Sequence, residues 1–446
     1  MKYLTTWILI FLLFTNCFNN QLINSESELT TTSRVEVDIQ EIENQNLIKL
    51  EECKDFEGYF EASINCSPGS TFETIYDFSF SDFNAQANNL VFFNEIYYIV
   101  LNNGEIHKYS LENKSPSLFL DFKNKIDERE EKGGLVGLAF HPSENYFLIT
   151  YIRAEEVYSL YVEKVTFNLN FEVLNSDVIL KIDDIEKQRD HFGGHVIWSE
   201  FYKGFLLGIG DFTESNAESR LNPKPQATDN YYGKIILLES QTILEVPSIS
   251  TDNSTDILDN IVGYGLRNSW QFFEYKNYLV ITDVGLSFNE ELNIVKMENN
   301  SKNFGWPIYE GLDTSAELDG IANYDLGLNY FENNFQKDFN EYINNNGIKP
   351  NFQYKHAPNN SIYRAAIIGG DIFKNVNSLY FQDIVFADYL SNEIYSINLA
   401  SRDFKIYPLE SFNDYITSLR VLNYEENTLL VTTQSGKLIK IRLPNN

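Results

Sequence analysis

Three short stretches of this chain hold side chains able to move a proton or stabilise a charge. RDHFGGHVIW, residues 189–198, carries two of the five histidines around an aromatic ring and two glycines. LLGIGD ends an apolar run on Asp211, and YGLRNSW sets Arg267 beside Asn268. A neutral imidazole titrates near the working pH and suits a general base, while a guanidinium stabilises developing negative charge. Taken alone, RDHFGGHVIW reads equally as a loop presenting a base and as a turn that contains imidazoles.

The elements that must position these residues are strands. One refrain recurs: an apolar strand, a turn with Gly, Asn or acidic residues, then a second strand alternating apolar and polar. Copies include NEIYYIVLNNGEIHKYSL from Asn94, ENYFLITYIRAEEVYSLYVEKV from Glu144 and KGFLLGIGD with GKIILLE from Lys203. Others are KNYLVITDVGLSFNEELNIVKM from Lys276, FQDIVFADYLSNEIYSINL from Phe381 and NTLLVTTQSGKLIKIRL from Asn427. Period-2 alternation with aromatic and β-branched enrichment identifies strands, and Asn-Gly or Ser-Gly turns identify hairpins. Six copies predict an all-β fold, a six-bladed β-propeller of four-stranded antiparallel blades over residues 71–446. The last copy runs almost to the final residue, so ring closure is expected to join it to N-terminal strands. The widest gap, from about Asn303 to Asn360, holds the Asn- and aromatic-rich NYFENNFQKDFNEYINNNGIKP. It reads either as a substrate entrance or as a surface loop.

Composition excludes some partners. A formal charge of −30 with no concentrated basic stripe argues against nucleic acid and against docking on anionic lipid. MKYLTTWILIFLLFTNCFNN, residues 1–20, has a lysine and then an apolar run too short for a membrane span, as in a signal peptide. Export to the periplasm or the extracellular space follows as the expectation, with no transmembrane span. Cys17 stands where a lipid-anchored cysteine would, although FTNC lacks the usual small residue before it. Residues 21–70 form a polar spacer with no sustained period, in which Cys53 and Cys66 are expected to pair.

Five segments then occur in one order: GGLVGLAFHPSENYFLITYI (133–152), HFGGHVIWSEFYKGFLLGIGD (191–211), YGLRNSW (264–270), ITDVGLSFNEELNIVKMENNSKNFGWPIYEG (281–311) and GGDIFKNVNSLYFQDIVFADYLSNEIYSINL (369–399). The ordered set resembles the glucose/sorbosone dehydrogenase family over roughly residues 75 to 443. That resemblance implies a six-bladed propeller that oxidises an aldose or related alcohol using pyrroloquinoline quinone (PQQ) and calcium. His191 matches the family's catalytic base and Asp211 the carboxylate that orients it. A hairpin through HVIWSEFYKGFLLGIGD would bring the two to one rim. Arg267 and Asn268 match quinone contacts, Lys132 stands where the family has a cofactor-contacting glutamine, and Gly285 and Leu286 match backbone carbonyl ligands of calcium. His195 falls at a variable position and is expected to belong to the strand. His141 and the Trp306 segment are expected to be structural, and Glu291 to cap a loop.

This sequence also departs from the family. Leu390 stands at the position of a carboxylate-binding lysine, and uncharged residues near Tyr415 and Ile416 at those of two arginines. Val284 replaces a glutamine. Lys132, Arg364, Lys374 and Arg420 are the cations that could compensate. Without compensation, the expectation turns to a second class, a propeller that keeps the scaffold and binds a protein or glycan without redox chemistry. The electron acceptor and oligomeric state are not legible.

Overall fold

The structure, a computed structural model, describes residues 70–78, 86–126, 134–154, 157–183, 190–213, 222, 224–239, 260–314, 347–356, 364–399, 404–409, 412–422 and 425–444. The leader, Cys17, the Cys53–Cys66 pairing, Lys132 and residues 315–346 of the insertion lie outside them.

The alternating segments form six sheets, and each copy of the refrain is the second and third strand of one blade. The innermost strands are Ala87–Phe93 in blade I, Gly134–Phe140 in II, Gly193–Ser199 in III, Gln271–Tyr275 in IV, Ile367–Ile372 in V and Ile416–Val421 in VI. They adjoin one another in that cyclic order, and VI returns to I. Every blade is antiparallel with four strands, and in blade III a short strand, Lys302–Asn303, adds a parallel fifth. The ring closes as expected: Thr71–Asp77 is the outermost strand of blade VI, with Thr71 opposite Arg442 and Asp77 opposite Lys437.

Blade packing explains why the middle strands read as continuous apolar runs. Each sheet is covered on both faces by its neighbours, so GFLLGI and YLVITD are buried at every residue. Five of the six innermost strands carry a register shift against their second strand, and blade IV alone does not. Such bulges bend a strand and re-aim its side chains. Here they fall near the N-terminal ends of the inner strands, where the axis opens.

A polar network joins blades IV and V. Tyr354 stacks on Tyr395 with ring centroids 5.2 Å apart and donates its hydroxyl to Asp388 Oδ2 at 2.8 Å. Asp388 Oδ1 accepts from the N–H groups of Leu390 and Ser391 at 3.0 and 2.8 Å. Burial nevertheless pushes the Asp388 carboxyl up to about 7, and Glu290 adds repulsion.

The folded carboxyl therefore keeps its proton above pH values at which the unfolded one releases it. The stability it contributes is full below the ordinary value of 3.8 and is lost as pH rises towards about 7. Asp388→Asn keeps an oxygen for the Leu390 and Ser391 N–H groups, reverses the Tyr354 contact so that the amide donates, and should flatten the fall in urea midpoint between about pH 4.5 and about pH 8. An unaltered slope would refute the assignment. Deleting the chain through Asp77 leaves Lys437–Arg442 as an open edge, which invites pairing with other chains. We expect a lower urea midpoint and a shift to larger species on size-exclusion chromatography with light scattering; an unchanged profile would show that this strand does not seal the ring.

Candidate active site

The N-terminal ends of the inner strands and the turns between second and third strands enclose a cavity of about 640 Å³. Blades I, III, IV, V and VI contribute to it, through residues such as Asn88, His191, Trp270, Ile368 and Thr417. It contains His191, Arg267, Asn268, Gly285 and Leu286, five of the seven residues expected to form the site. Asp211 lies directly behind them, and Lys132 falls outside the described residues.

The pairing of Gly193–Ser199 with Gly204–Ile209 sets Gly193 opposite Ile209. His191 and Asp211 therefore emerge together at one rim, 20 residues apart in sequence, and His191 Nδ1 is 3.3 Å from Asp211 Oδ1. On the other side of the ring, Arg267 Nη2 is 3.2 Å from His191 Nε2. A guanidinium can only donate, so Nε2 is the unprotonated nitrogen and Nδ1–H points to Asp211. The carboxylate selects the tautomer whose basic nitrogen belongs to the cavity wall.

Asp211 is fully buried and well held. Trp306 Nε1 donates to its Oδ2 at 2.9 Å, and the Thr213 N–H to its Oδ1 at 3.1 Å. Burial alone would raise this carboxyl, but the His191 hydrogen bond and the influence of His191, Arg267 and Thr213 outweigh it and hold it below the ordinary value. The Trp306 segment, expected to be structural only, thus reaches the site's carboxylate. Its ring also lies 5.7 Å from the Arg267 guanidinium.

His191 pays for its position in backbone conformation, with φ of +49°. The glycines that follow have a local explanation. Gly193 and Gly194 have φ of +70° and +103°, and a Cβ on Gly193 would sit 2.7 Å from the Gly208 carbonyl oxygen and the Gly210 nitrogen. They let the strand close on its partner rather than make room for a flat ligand. His195 lies in the strand: Nε2–H donates to the Phe272 carbonyl at 3.0 Å, Nδ1 faces Asn89 at 3.1 Å, and burial pushes the imidazole down to about 3.

Arg267 joins blade III to blade IV. Its Nη1 donates to the carbonyls of Val284 and Gly285 at 2.8 and 2.6 Å. Asp283 in turn accepts the N–H groups of Arg267 and Asn268 at 2.9 and 2.7 Å. Asn268 faces the cavity, and its Oδ1 is buried with no hydrogen-bond donor among the described residues.

Several lining residues escaped the sequence reading. Asp190 precedes His191 and could have been noticed by adjacency. Glu290 and His356 are far apart in sequence and meet because Asn289–Lys296 pairs with Phe352–Lys355. His356 Nε2 lies 2.5 Å from Glu290 Oε1. Burial opposes the charged imidazole, but Glu290 outweighs it and raises His356. Trp270 and Tyr389 add aromatic faces, and Tyr415 stacks behind Tyr389 at 4.9 Å.

These residues can be tested against a tricarboxylate quinone and its calcium. Arg267 and Asn268 could contact a quinone edge. Yet among the described lining residues Arg267 and His356 are the cations, and each is already engaged as above, while Asp190 and Glu290 add negative charge. Leu390, at the lysine position, is apolar and 37% exposed, and Ile416 is buried. The compensating cations among the described residues do not supply the grip either. Arg364 is buried against Glu393, and Lys374 and Arg420 line a different cavity. The Gly285 carbonyl, expected to bind calcium, accepts from Arg267. The described residues therefore fit the proton-transfer half of the chemistry and do not fit the carboxylates or the metal. Glu291 accepts the Gly311 N–H at 2.5 Å, as a loop cap does.

Comparison with known proteins matches this architecture. Residues 96–321 match the glucose/sorbosone dehydrogenase family. A glucose dehydrogenase structure superposes with a TM-score of 0.59 at 15% identity, over 84% of this chain and 100% of its own. The apo-form soluble aldose sugar dehydrogenase of Escherichia coli gives 0.58 at 18% identity, over 84% and 99%. A putative oxidoreductase (glucose dehydrogenase) of Thermus thermophilus gives 0.55 at 15%, over 84% and 100%. At such identities the superpositions establish the propeller alone. No curated protein sequence matches. The family match covers half of the chain, and with it the chain belongs to the glucose/sorbosone dehydrogenase family.

Proposed function

We propose that this chain is an exported oxidoreductase that oxidises an aldose or a related alcohol at this mouth, with His191 as general base. The observation that carries the reading is the line Asp211–His191–Arg267. The substrate hydroxyl displaces Arg267 Nη2 from His191 Nε2, which takes the hydroxyl proton, and the resulting imidazolium keeps its Nδ1–H on Asp211. Arg267 Nη2, beside Nε2, faces the oxygen as negative charge develops, and the Asn268 Oδ1 acceptor holds a second hydroxyl of the sugar. As the carbonyl forms, hydride leaves the carbon for an electron acceptor. PQQ with calcium is the acceptor implied by family membership, and a cationic grip for its carboxylates is missing among the described residues. That mismatch favours a second reading, a propeller of the same family that binds a neutral glycan without redox chemistry.

Purified protein supplied with PQQ and calcium, an artificial electron acceptor and a panel of sugars separates the two. Under the oxidoreductase reading, turnover is seen together with a quinone absorption band that tracks the protein, and the cationic grip then comes from outside the described residues. His191→Ala should then lower kcat by about 10²–10⁴-fold while quinone uptake persists. No band and no turnover with any sugar would leave only the glycan-binding reading. Trp306→Phe removes one donor from Asp211 and should lower kcat about tenfold with little change in KM, as loss of one buried hydrogen bond predicts. A KM effect alone would place Trp306 in substrate binding instead.

A further inference from the structure

The inner strands that present His191 at one end of the axis bound a second cavity at their other ends, of about 260 Å³. Its two sides differ in chemistry. Blades I to III contribute Phe93, Phe140 and Trp198, with Phe93 and Phe140 stacked at a centroid distance of 4.5 Å. Blades V and VI contribute Lys374 and Arg420.

Arg420 is held by backbone carbonyls and attracted by Asp371, without a carboxylate in ion-pair contact among the described residues. Its Nη1 donates to the carbonyls of Gly370 and Leu419, both at 3.0 Å. Its Nε and Nη2 make no hydrogen bond, and no carboxylate lies within ion-pair distance, among the described residues. The two acids that share the wall are committed elsewhere. Asp371 Oδ1 accepts the Ile372 N–H at 2.8 Å and its Oδ2 the Val421 N–H at 3.1 Å. Glu274 accepts the Ser199 hydroxyl at 2.6 Å and the Phe201 N–H at 3.1 Å. Lys374 is exposed and makes no ion pair among the described residues. In a chain of net charge −30, this wall sets two cations beside Asp371 and Glu274 and leaves one guanidinium edge without a carboxylate partner among the described residues.

The Nε–Nη2 edge of a guanidinium is a fork that matches the two oxygens of a carboxylate. Opposite it, aromatic faces suit a flat apolar body. We propose that this mouth is a second ligand site, distinct from the His191 cavity, which takes a small aromatic carboxylate. The carboxylate pairs with Arg420 and is supported by Lys374, and the ring packs on Phe93, Phe140 and Trp198.

Isothermal titration of the full chain with benzoate tests this, with benzyl alcohol and acetate as probes that lack the charge or the ring. Benzoate should bind saturably, with both controls at least about tenfold weaker, as loss of a charged pair or of an aromatic contact predicts. Arg420→Met should weaken benzoate about ten- to hundredfold. Lys374→Met, at an exposed position where folding is not at risk, should weaken it severalfold. Trp198→Phe should retain binding and abolish the benzoate-induced change in tryptophan fluorescence, which locates the ligand. The proposal is overturned by benzyl alcohol matching benzoate, by no saturable benzoate binding, or by unchanged affinity in either cation variant. None of these readouts involves sugar oxidation, so failure here leaves the His191 reading untouched.

Discussion

The buried Arg267 guanidinium is the contact on which the geometry of the larger mouth depends. One nitrogen faces His191 and another holds the Val284 and Gly285 carbonyls, so a single side chain sets the distance between blades III and IV at the rim. A buried charge is tolerated only when its surroundings replace water. Here two carbonyls, an imidazole and the Trp306 face do so. Because the guanidinium cannot accept a proton from His191, it also decides which imidazole nitrogen is basic.

That constraint propagates outward. Asp211 must face Nδ1, and Trp306 must reach Asp211. Asp283 must meet the Arg267 and Asn268 N–H groups from the far side. Asp211 follows the second strand of blade III, Asp283 ends the second strand of blade IV and Trp306 follows the short Lys302–Asn303 strand, which is why the propeller rim rather than any one blade forms the site. The same commitments explain the poor match to a calcium-bound quinone. A carbonyl already bonded to Nη1 has less to offer a metal, and the described cations that could have gripped carboxylates are either paired with Glu393 or sit at the opposite end of the axis.

The two mouths differ in which polar edges they leave open. At the His191 end, the cations of the described lining are internally paired, and amides and aromatic faces remain to meet a ligand. At the other end, Asp371 and Glu274 keep their charge while accepting from backbone and hydroxyl donors, and the Nε–Nη2 edge of Arg420 stays open. One ring of inner strands therefore carries two surfaces of different preference.

The residues by themselves determined much of this. Alternation with period 2 marked the strands, six refrains counted the blades, and the apolar run ending on Asp211 placed it across a hairpin from His191. These are local properties, written in consecutive side chains and turn chemistry. Other features arise only when distant segments meet. Glu290 finds His356 through a strand pairing 66 residues away. Trp306 reaches Asp211 from a segment that reads as packing alone. Lys374 and Arg420, candidates for one mouth by residue type, belong to the other. Strand alternation records which face a residue takes, but not which end of the axis it approaches. The end is decided by strand direction, bulges and blade order, which only the closed ring defines.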